Sequence, residues 1–181
     1  VETLVTWDNA RLDAYAHLIG EWSRRVELVG RGDLDRFRER HIEDSLRAVP
    51  LLESLPAGPV VDVGSGAGLP GVPLAIASPE RHFRLLEPRR KRAAFLDEVV
   101  RALDLDCEVL RMTAETAAQT PGLAAAHAVA SARALAAPEG ALALLTPLVR
   151  SGGAAVLWHG PGAELPGNAE EWDDGIAIVR R

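Results

Sequence analysis

Residues Val60 to Gly71 read V-V-D-V-G-S-G-A-G-L-P-G, an apolar run that ends in an acid and gives way to glycines at alternate positions, Gly64, Gly66 and Gly68. Such a segment describes a buried strand that breaks into a tight loop and then enters a helix. Glycine is required where the chain passes through positive φ and where a ligand lies against bare backbone. The same span contains G-x-G-x-x-G at Gly66, Gly68 and Gly71, so two ligand classes arise: a nicotinamide dinucleotide and S-adenosylmethionine (AdoMet). Asp62 separates them. A carboxylate two residues before the first glycine opposes a pyrophosphate, whereas the ammonium and sulfonium of AdoMet favour it.

His82 to Glu87, H-F-R-L-L-E, reads as the next strand, and Glu87 falls where an open α/β sheet places the carboxylate that accepts ribose hydroxyls. That position serves a dinucleotide equally, and Arg89 and Arg90 suit a 2′-phosphate. Glu87 alone leaves both ligands open.

The pattern on either side predicts an α/β chain with a helical prelude. Trp7, Tyr15, Leu18, Ile19, Trp22, Val26 and Val29 recur at three- and four-residue steps, predicting a helix over Asp8 to Val29. Leu34, Phe37, His41, Ser45, Leu46 and Val49 continue the spacing in a second helix, capped by Asp33 and stopped near Pro50. Leu55 to Pro59 is a hinge, which divides the chain into a cap over residues 1–57 and a core over 58–181. In the core, strands are predicted at Val60 to Val63, Phe83 to Leu86, Glu108 to Met112, Ala128 to Ala132 and Ala154 to Trp158. Helices at Pro70 to Ala77, Arg89 to Leu103 and Glu139 to Val149 stand between them. Strands alternating with helices imply a mostly parallel, doubly wound, Rossmann-like sheet, whose ligands bind at the carboxyl ends of the strands. The last 22 residues, rich in Pro and Gly, are too few for a helix plus an antiparallel strand pair, so the C-terminal end reads as abbreviated, with a single strand at Ile176 to Val179.

Composition bounds these readings. With 181 residues and 48% hydrophobic content the chain suits one well-buried core with a small appendage. It contains no run approaching the roughly 20 apolar residues of a membrane span and opens on no leader pattern, so a cytoplasmic protein without membrane contact is expected. Cys107 is the single cysteine, which excludes a disulfide framework and a cysteine-ligated zinc site; no metal centre is expected. A net charge of −6 argues against a protein that coats nucleic acid, yet the charge is polarised. Arg81 to Arg101 holds seven bases against three acids, while Glu164 to Asp174 carries five acids and no base.

In R-H-I-E-D-S (Arg40 to Ser45), D-V-G-S-G-A-G-L-P-G-V-P-L (Asp62 to Leu74) and L-L-E-P-R-R-K-R-A-A-F-L (Leu85 to Leu96), the chain resembles the bacterial small-subunit ribosomal RNA guanine-N7 methyltransferases, also called glucose-inhibited division protein B. Weaker echoes are Ala114 with Glu115 and the A-R-A of Ala132 to Ala134. The L-P-G-x-P-L extension is the most specific part. The resemblance implies an AdoMet-dependent enzyme that methylates N7 of a guanine in 16S ribosomal RNA, acting as a monomer on the small subunit. An AdoMet enzyme for another RNA or a small molecule, and a cofactor-binding module without turnover, remain the alternatives.

Guanine N7 has an in-plane lone pair, so its methylation is a direct displacement that needs no general base, and positioning supplies most of the rate. On that requirement and on the resemblance, Asp62 holds the methionine end directly or through the loop, and Gly64, Ser65, Gly66 and Gly68 line its path. Glu87 takes the ribose, and Ala114 and Glu115 meet the adenine. Arg133, after the fourth strand, lies beside the methyl group and is the catalytic candidate. Arg40, His41, Asp44, Ser45, Pro70, Lys91 and His159 are the substrate-side candidates. Two departures from the family pattern stand out: His159 precedes Gly160 where a lysine is usual, and His127 stands where an aspartate is usual.

Overall fold

A computed structural model describes residues 7–133 and 135–181. Seven strands form one sheet in the order β3-β2-β1-β4-β5-β7-β6. They are β1 (Val60–Val63), β2 (Phe83–Leu86), β3 (Cys107–Leu110), β4 (His127–Arg133), β5 (Val149–Trp158), β6 (Glu170–Asp173) and β7 (Ile176–Arg180). β1 to β5 run parallel to one another, whereas β7 is antiparallel to both β5 and β6. The order reverses between β1 and β4, which creates the switch-point crevice at the carboxyl ends of those strands.

Strand periodicity divides the core in two. Val60, Phe83, Leu85, Val129, Val156 and Trp158 join one hydrophobic cluster, and Val61, Val63, Leu86, Ala130, Ala132, Ala155 and Leu157 join the other. The first cluster also holds Leu12, Tyr15 and Ile19 of helix α1 (Asn9–Trp22) and the apolar faces of α4 (Gly71–Ala77) and α5 (Arg90–Leu103). The second packs α6 (Ala114–Ala118) and α7 (Pro138–Leu145). Asp62, Ser131, Arg133 and Trp158 share strand parity with the first set, so they point toward the cap.

The predicted prelude helices are shorter and more broken than their apolar spacing suggested. α1 begins after Asp8, whose carboxylate accepts the Arg11 N–H at 3.0 Å, and the helix ends at Ser23 instead of running to Val29. The second predicted helix is four pieces: a 3-10 segment over Arg31–Arg36, a π turn over Arg38–Ile42, α2 (Glu43–Leu46) and α3 (Val49–Ser54). Asp33 does not cap it, because its carboxylate takes the Arg40 guanidinium. Pro50 does not stop it either; it lies in the first turn of α3, where its missing N–H has no partner to lose. The predicted α7 ends at Leu145, followed by a 3-10 turn over Thr146–Leu148, and β5 begins at Val149 because Val149 pairs with His127 across a bulge.

The tail also departs from expectation. A D-D-G turn at Asp173 to Gly175 lets Glu170–Asp173 fold back on Ile176–Arg180, so an antiparallel pair forms where a single strand was predicted. Residues 1–6 of the predicted cap, and Ala134 of the A-R-A echo, lie outside the described residues.

Arg81 ties cap to core. It is 8% exposed, and its guanidinium donates to the carbonyls of Leu52, Leu55 and Pro56 at 2.8–3.0 Å, closing the C-terminal end of α3 onto the sheet. Among the described residues no helix is long and apolar enough to cross a membrane.

Candidate functional site

The glycine loop follows β1 at the switch point. Gly64 and Gly66 have φ of +68° and +57°, which side-chain-bearing residues rarely adopt, and both sit on the carboxyl edge of the sheet. The N–H groups of Gly64 and Ser65 donate to the Leu86 carbonyl at 2.9 and 3.0 Å, pinning the loop to the end of β2. Glu87, buried, follows directly. Its carboxylate accepts the Gly66 N–H at 3.0 Å through Oε2 and the Arg89 N–H at 2.8 Å through Oε1. A tight glycine loop whose N–H groups are already paired, with a carboxylate at its rim, suits a ligand that carries both positive charge and sugar hydroxyls, and disfavours a diphosphate.

Asp62 lies beneath this loop. It is 0% exposed, its Oδ1 accepts the Ser131 hydroxyl at 2.8 Å, and its Oδ2 has no hydrogen-bond partner. Burial pushes its carboxyl up to about 6, opposed by the Ser65 and Ser131 hydroxyls and the Gly71 N–H close beside it. A Cβ on Gly71 would stand 2.8 Å from Oδ2, so the glycine there is fixed by close approach. Asp62 thus lies in close contact with the residues that follow the loop and with β4. Tyr15 props the loop, donating its hydroxyl to the Ala67 carbonyl at 2.7 Å; burial, then Asp62, pushes its phenol well above the usual range. Neither Tyr15 nor Ser131 carried a sequence signal, because each acts across more than 50 residues.

A second site element opens beside the nest. A cavity of about 320 Å³ is lined by Asp44, Arg133, Trp158, His159, Asp174 and Gly175. Arg133 Nη1 lies 3.2 Å from Asp44 Oδ2, and its Nη2 lies 3.0 Å from His41 Nδ1. A guanidinium only donates, so Nδ1 accepts and the His41 proton resides on Nε2. Burial, reinforced by Arg133, pushes the His41 pKa down and keeps the ring neutral. Its Nε2 is buried without a partner, 3.7 Å from Asp33 Oδ2. Trp158 is 5% exposed and directs its indole N–H to the Asp44 carbonyl at 3.4 Å, so it is a wall of the core at the cavity.

The structure brings His41, Asp44, Arg133 and His159 together around this cavity or against it. Ser45 is buried and donates to the His41 carbonyl at 2.7 Å, and Pro70 is buried at the start of α4. Arg40 is exposed and paired with Asp33. Ala114 is buried and Glu115 exposed in the first turn of α6 after β3, and Lys91 is exposed in the first turn of α5. His127 lies at the opposite, amino end of β4. Its Nδ1 donates to the Leu148 carbonyl at 3.0 Å and its Nε2 accepts from Arg84 at 3.1 Å, so this departure from the family pattern is a buried structural contact.

Comparison with known proteins places this geometry in a family. The model for rRNA small subunit methyltransferase G matches residues 8–172. A ribosomal RNA small subunit methyltransferase G of Granulibacter bethesdensis is 41% identical over 164 residues, which are 90% of this chain and 74% of that protein. Its namesake in Acidiphilium cryptum is 39% identical over 186 residues, covering 93% and 82% of the two chains. Among solved structures, a Corynebacterium glutamicum protein superposes with a TM-score of 0.61 at 13% identity, covering 93% of this chain and 89% of that one. A putative S-adenosyl-L-methionine-dependent methyltransferase from Methanococcus maripaludis gives 0.56 at 16% identity, over 72% and 63%. These two likenesses speak for the fold. From the sequence relatives and the nested glycine loop together, the chain belongs to the rRNA small subunit methyltransferase G family of AdoMet-dependent enzymes.

Proposed function

We propose that this protein methylates N7 of a guanine in 16S ribosomal RNA, acting as a monomer in the cytoplasm on the small ribosomal subunit. The carrying observation is that the glycine nest with Glu87 and the Arg133 cavity open on the same carboxyl edge of the sheet, as the pairing of Val63 with Leu86 and of Arg133 with Trp158 requires. AdoMet, when bound, supplies the electrophilic methyl group.

The residues of the chain do the positioning. Asp62 stiffens the loop through Ser131, the amides from Gly64 through Ser65 and Gly66 to Gly68 line the path of the methionine end, and Glu87 accepts the ribose hydroxyls. Ala114 offers its backbone to the adenine, with Glu115 beside it. Arg133, oriented by Asp44 and His41, directs a guanidinium at the acceptor base. Arg40, Ser45, Pro70 and Lys91 act on the RNA side, the first and last through exposed charge and the other two by shaping the wall. The described part of the cap, residues 7–57, closes the acceptor side of the core. No group has to remove a proton from N7, so orientation and exclusion of water are what the cavity contributes.

Tritiated AdoMet presented with unmethylated small subunits, free 16S RNA and a metabolite extract tests this reading. Label confined to N7-methylguanine in the RNA is expected. Label in metabolites, or cofactor binding without transfer, overturns it.

A further inference from the structure

The glycine loop uses nearly all of its own hydrogen-bond donors. The Gly64 and Ser65 N–H groups go to the Leu86 carbonyl, that of Gly66 to Glu87 Oε2, and those of Gly68 and Leu69 to the Ser65 carbonyl at 2.6 and 3.1 Å. Among the described residues only the Ala67 N–H of this loop is without an acceptor. The methionine end of AdoMet carries a carboxylate besides its ammonium and sulfonium, and the buried side chains flanking the loop, Asp62 and Glu87, are acids. A carboxylate drawn out of water without a cation to pair with is costly, so a basic side chain has to meet it.

Arg92 is placed to do so. It is the third residue of α5, and helical side chains lean toward the helix N-terminus, here the end of β2 and the loop pinned to it. Of the basic run Arg89 to Arg92, Arg92 alone is half-buried and the other three are exposed. Its Nη2 donates at 3.0 Å to the carbonyl of Glu27, in the segment after α1, which fixes the guanidinium between cap and core. Nη1 stands against the loop, for a Cβ added to Gly66 would lie 3.7 Å from it. Other arginines of this end are committed: Arg133 is held by Asp44 and His41. Among the described residues Arg92 has no carboxylate partner and its Nη1 makes no hydrogen bond. The positive charge is intrinsic to a guanidinium.

We infer that Arg92 is a cofactor-binding residue, whose Nη1 donates to the carboxylate of the AdoMet methionine end while Nη2 stays on the Glu27 carbonyl. The inference rests on the reading that this end runs along Gly64 to Gly68. An RNA phosphate is the other anion an arginine could meet, but Nη1 lies against the loop, whereas Arg89, Arg90 and Lys91 are the members of the run that face solvent. The hold on Glu27 matters as well, because a guanidinium anchored through one amino group needs little reordering to grip an anion with the other.

The test compares AdoMet with decarboxylated AdoMet, which keeps the ammonium and the sulfonium, by isothermal titration against wild type, R92Q and R92K. Wild type is expected to bind AdoMet about 10- to 100-fold more tightly than the decarboxylated form, the worth of a charge-assisted hydrogen bond. R92Q should lose that preference, binding AdoMet more weakly by the same factor and the decarboxylated form within about twofold of wild type. R92K should recover part of it, since an ammonium restores the charge without the fork that reaches Glu27 and the ligand together. A wild type that binds the two ligands alike overturns the inference, as does an R92Q enzyme that weakens both equally, which would make Arg92 a tie between α5 and the cap. So does an R92Q enzyme with unchanged AdoMet affinity and a raised KM for small subunits, which would give Arg92 to the RNA. These outcomes leave N7 methylation standing; a wild type that binds neither ligand overturns the cofactor reading of the loop itself.

Discussion

Ser131, in the middle of β4, donates its hydroxyl to Oδ1 of Asp62 on the adjacent strand at 2.8 Å, giving a fully buried carboxylate its one side-chain partner. The glycine loop rests on this pair. Removing the hydroxyl in S131A takes from a buried carboxylate its Oδ1 hydrogen bond, and a stability loss of about 1–3 kcal/mol is expected in urea denaturation at pH 7.5. AdoMet affinity should fall with it.

Asp62 also sets a pH dependence. Its pKa is about 6 in the folded protein against an ordinary 3.8, so the native state holds this proton more tightly than the unfolded chain. Its contribution is fully present below about pH 4 and lost as pH rises through 6, a change of about 3 kcal/mol. The stability difference between wild type and D62N should therefore shift against wild type by roughly that amount between pH 4 and 7, measured by denaturant titration.

His127 works in the other sense. Burial, with Arg84 adding to it, pushes its pKa down. A lowered histidine contributes stability above its unfolded value near 6.5, and that contribution declines as pH falls toward the folded value. H127Q should narrow its stability deficit relative to wild type as pH drops from 7.5 to 5. A deficit that widens on acidification would contradict the buried neutral imidazole.

Gly68 has φ of +96°, and a Cβ there would lie 2.7 Å from Val72 Cγ2 and 3.1 Å from the Tyr15 hydroxyl. G68A should cost about 2–3 kcal/mol through backbone strain and a disturbed Tyr15 contact with Ala67. Thermal melting reads the loss, and calorimetry should show weaker AdoMet binding.

Glu87 is proposed to take the ribose, and it already accepts two loop N–H groups. E87A should weaken AdoMet binding by about 10- to 100-fold, the equivalent of one or two charge-assisted hydrogen bonds. Isothermal titration with AdoMet measures it.

The cap illustrates how far local pattern reaches. Apolar spacing correctly marked both prelude segments as helical, yet the stretch from Arg31 to Ser54 breaks into 3-10, π and α turns. In the same stretch Arg38 reaches Asp13 and Asn9 of α1, and Arg40 reaches Asp33, contacts that periodicity alone does not register. The tail shows the converse: length argued for one strand, but a turn of three residues needs little chain, and β5 offered an open edge for β7 to pair.

The sequence by itself determined the strand, nest and helix around Asp62 to Gly71, the carboxylate at Glu87 and the parallel α/β class, because glycine conformation and strand periodicity are local properties of the chain. Only the tertiary structure decided that Asp62 faces inward to Ser131, that His41 and Asp44 aim Arg133, and that Glu171 meets His159. Arg133 and His41 are 92 residues apart, and Ser131 and Asp62 are 69 apart. Such pairs form when the sheet closes and burial makes an unpartnered polar group costly, a condition that no local pattern encodes.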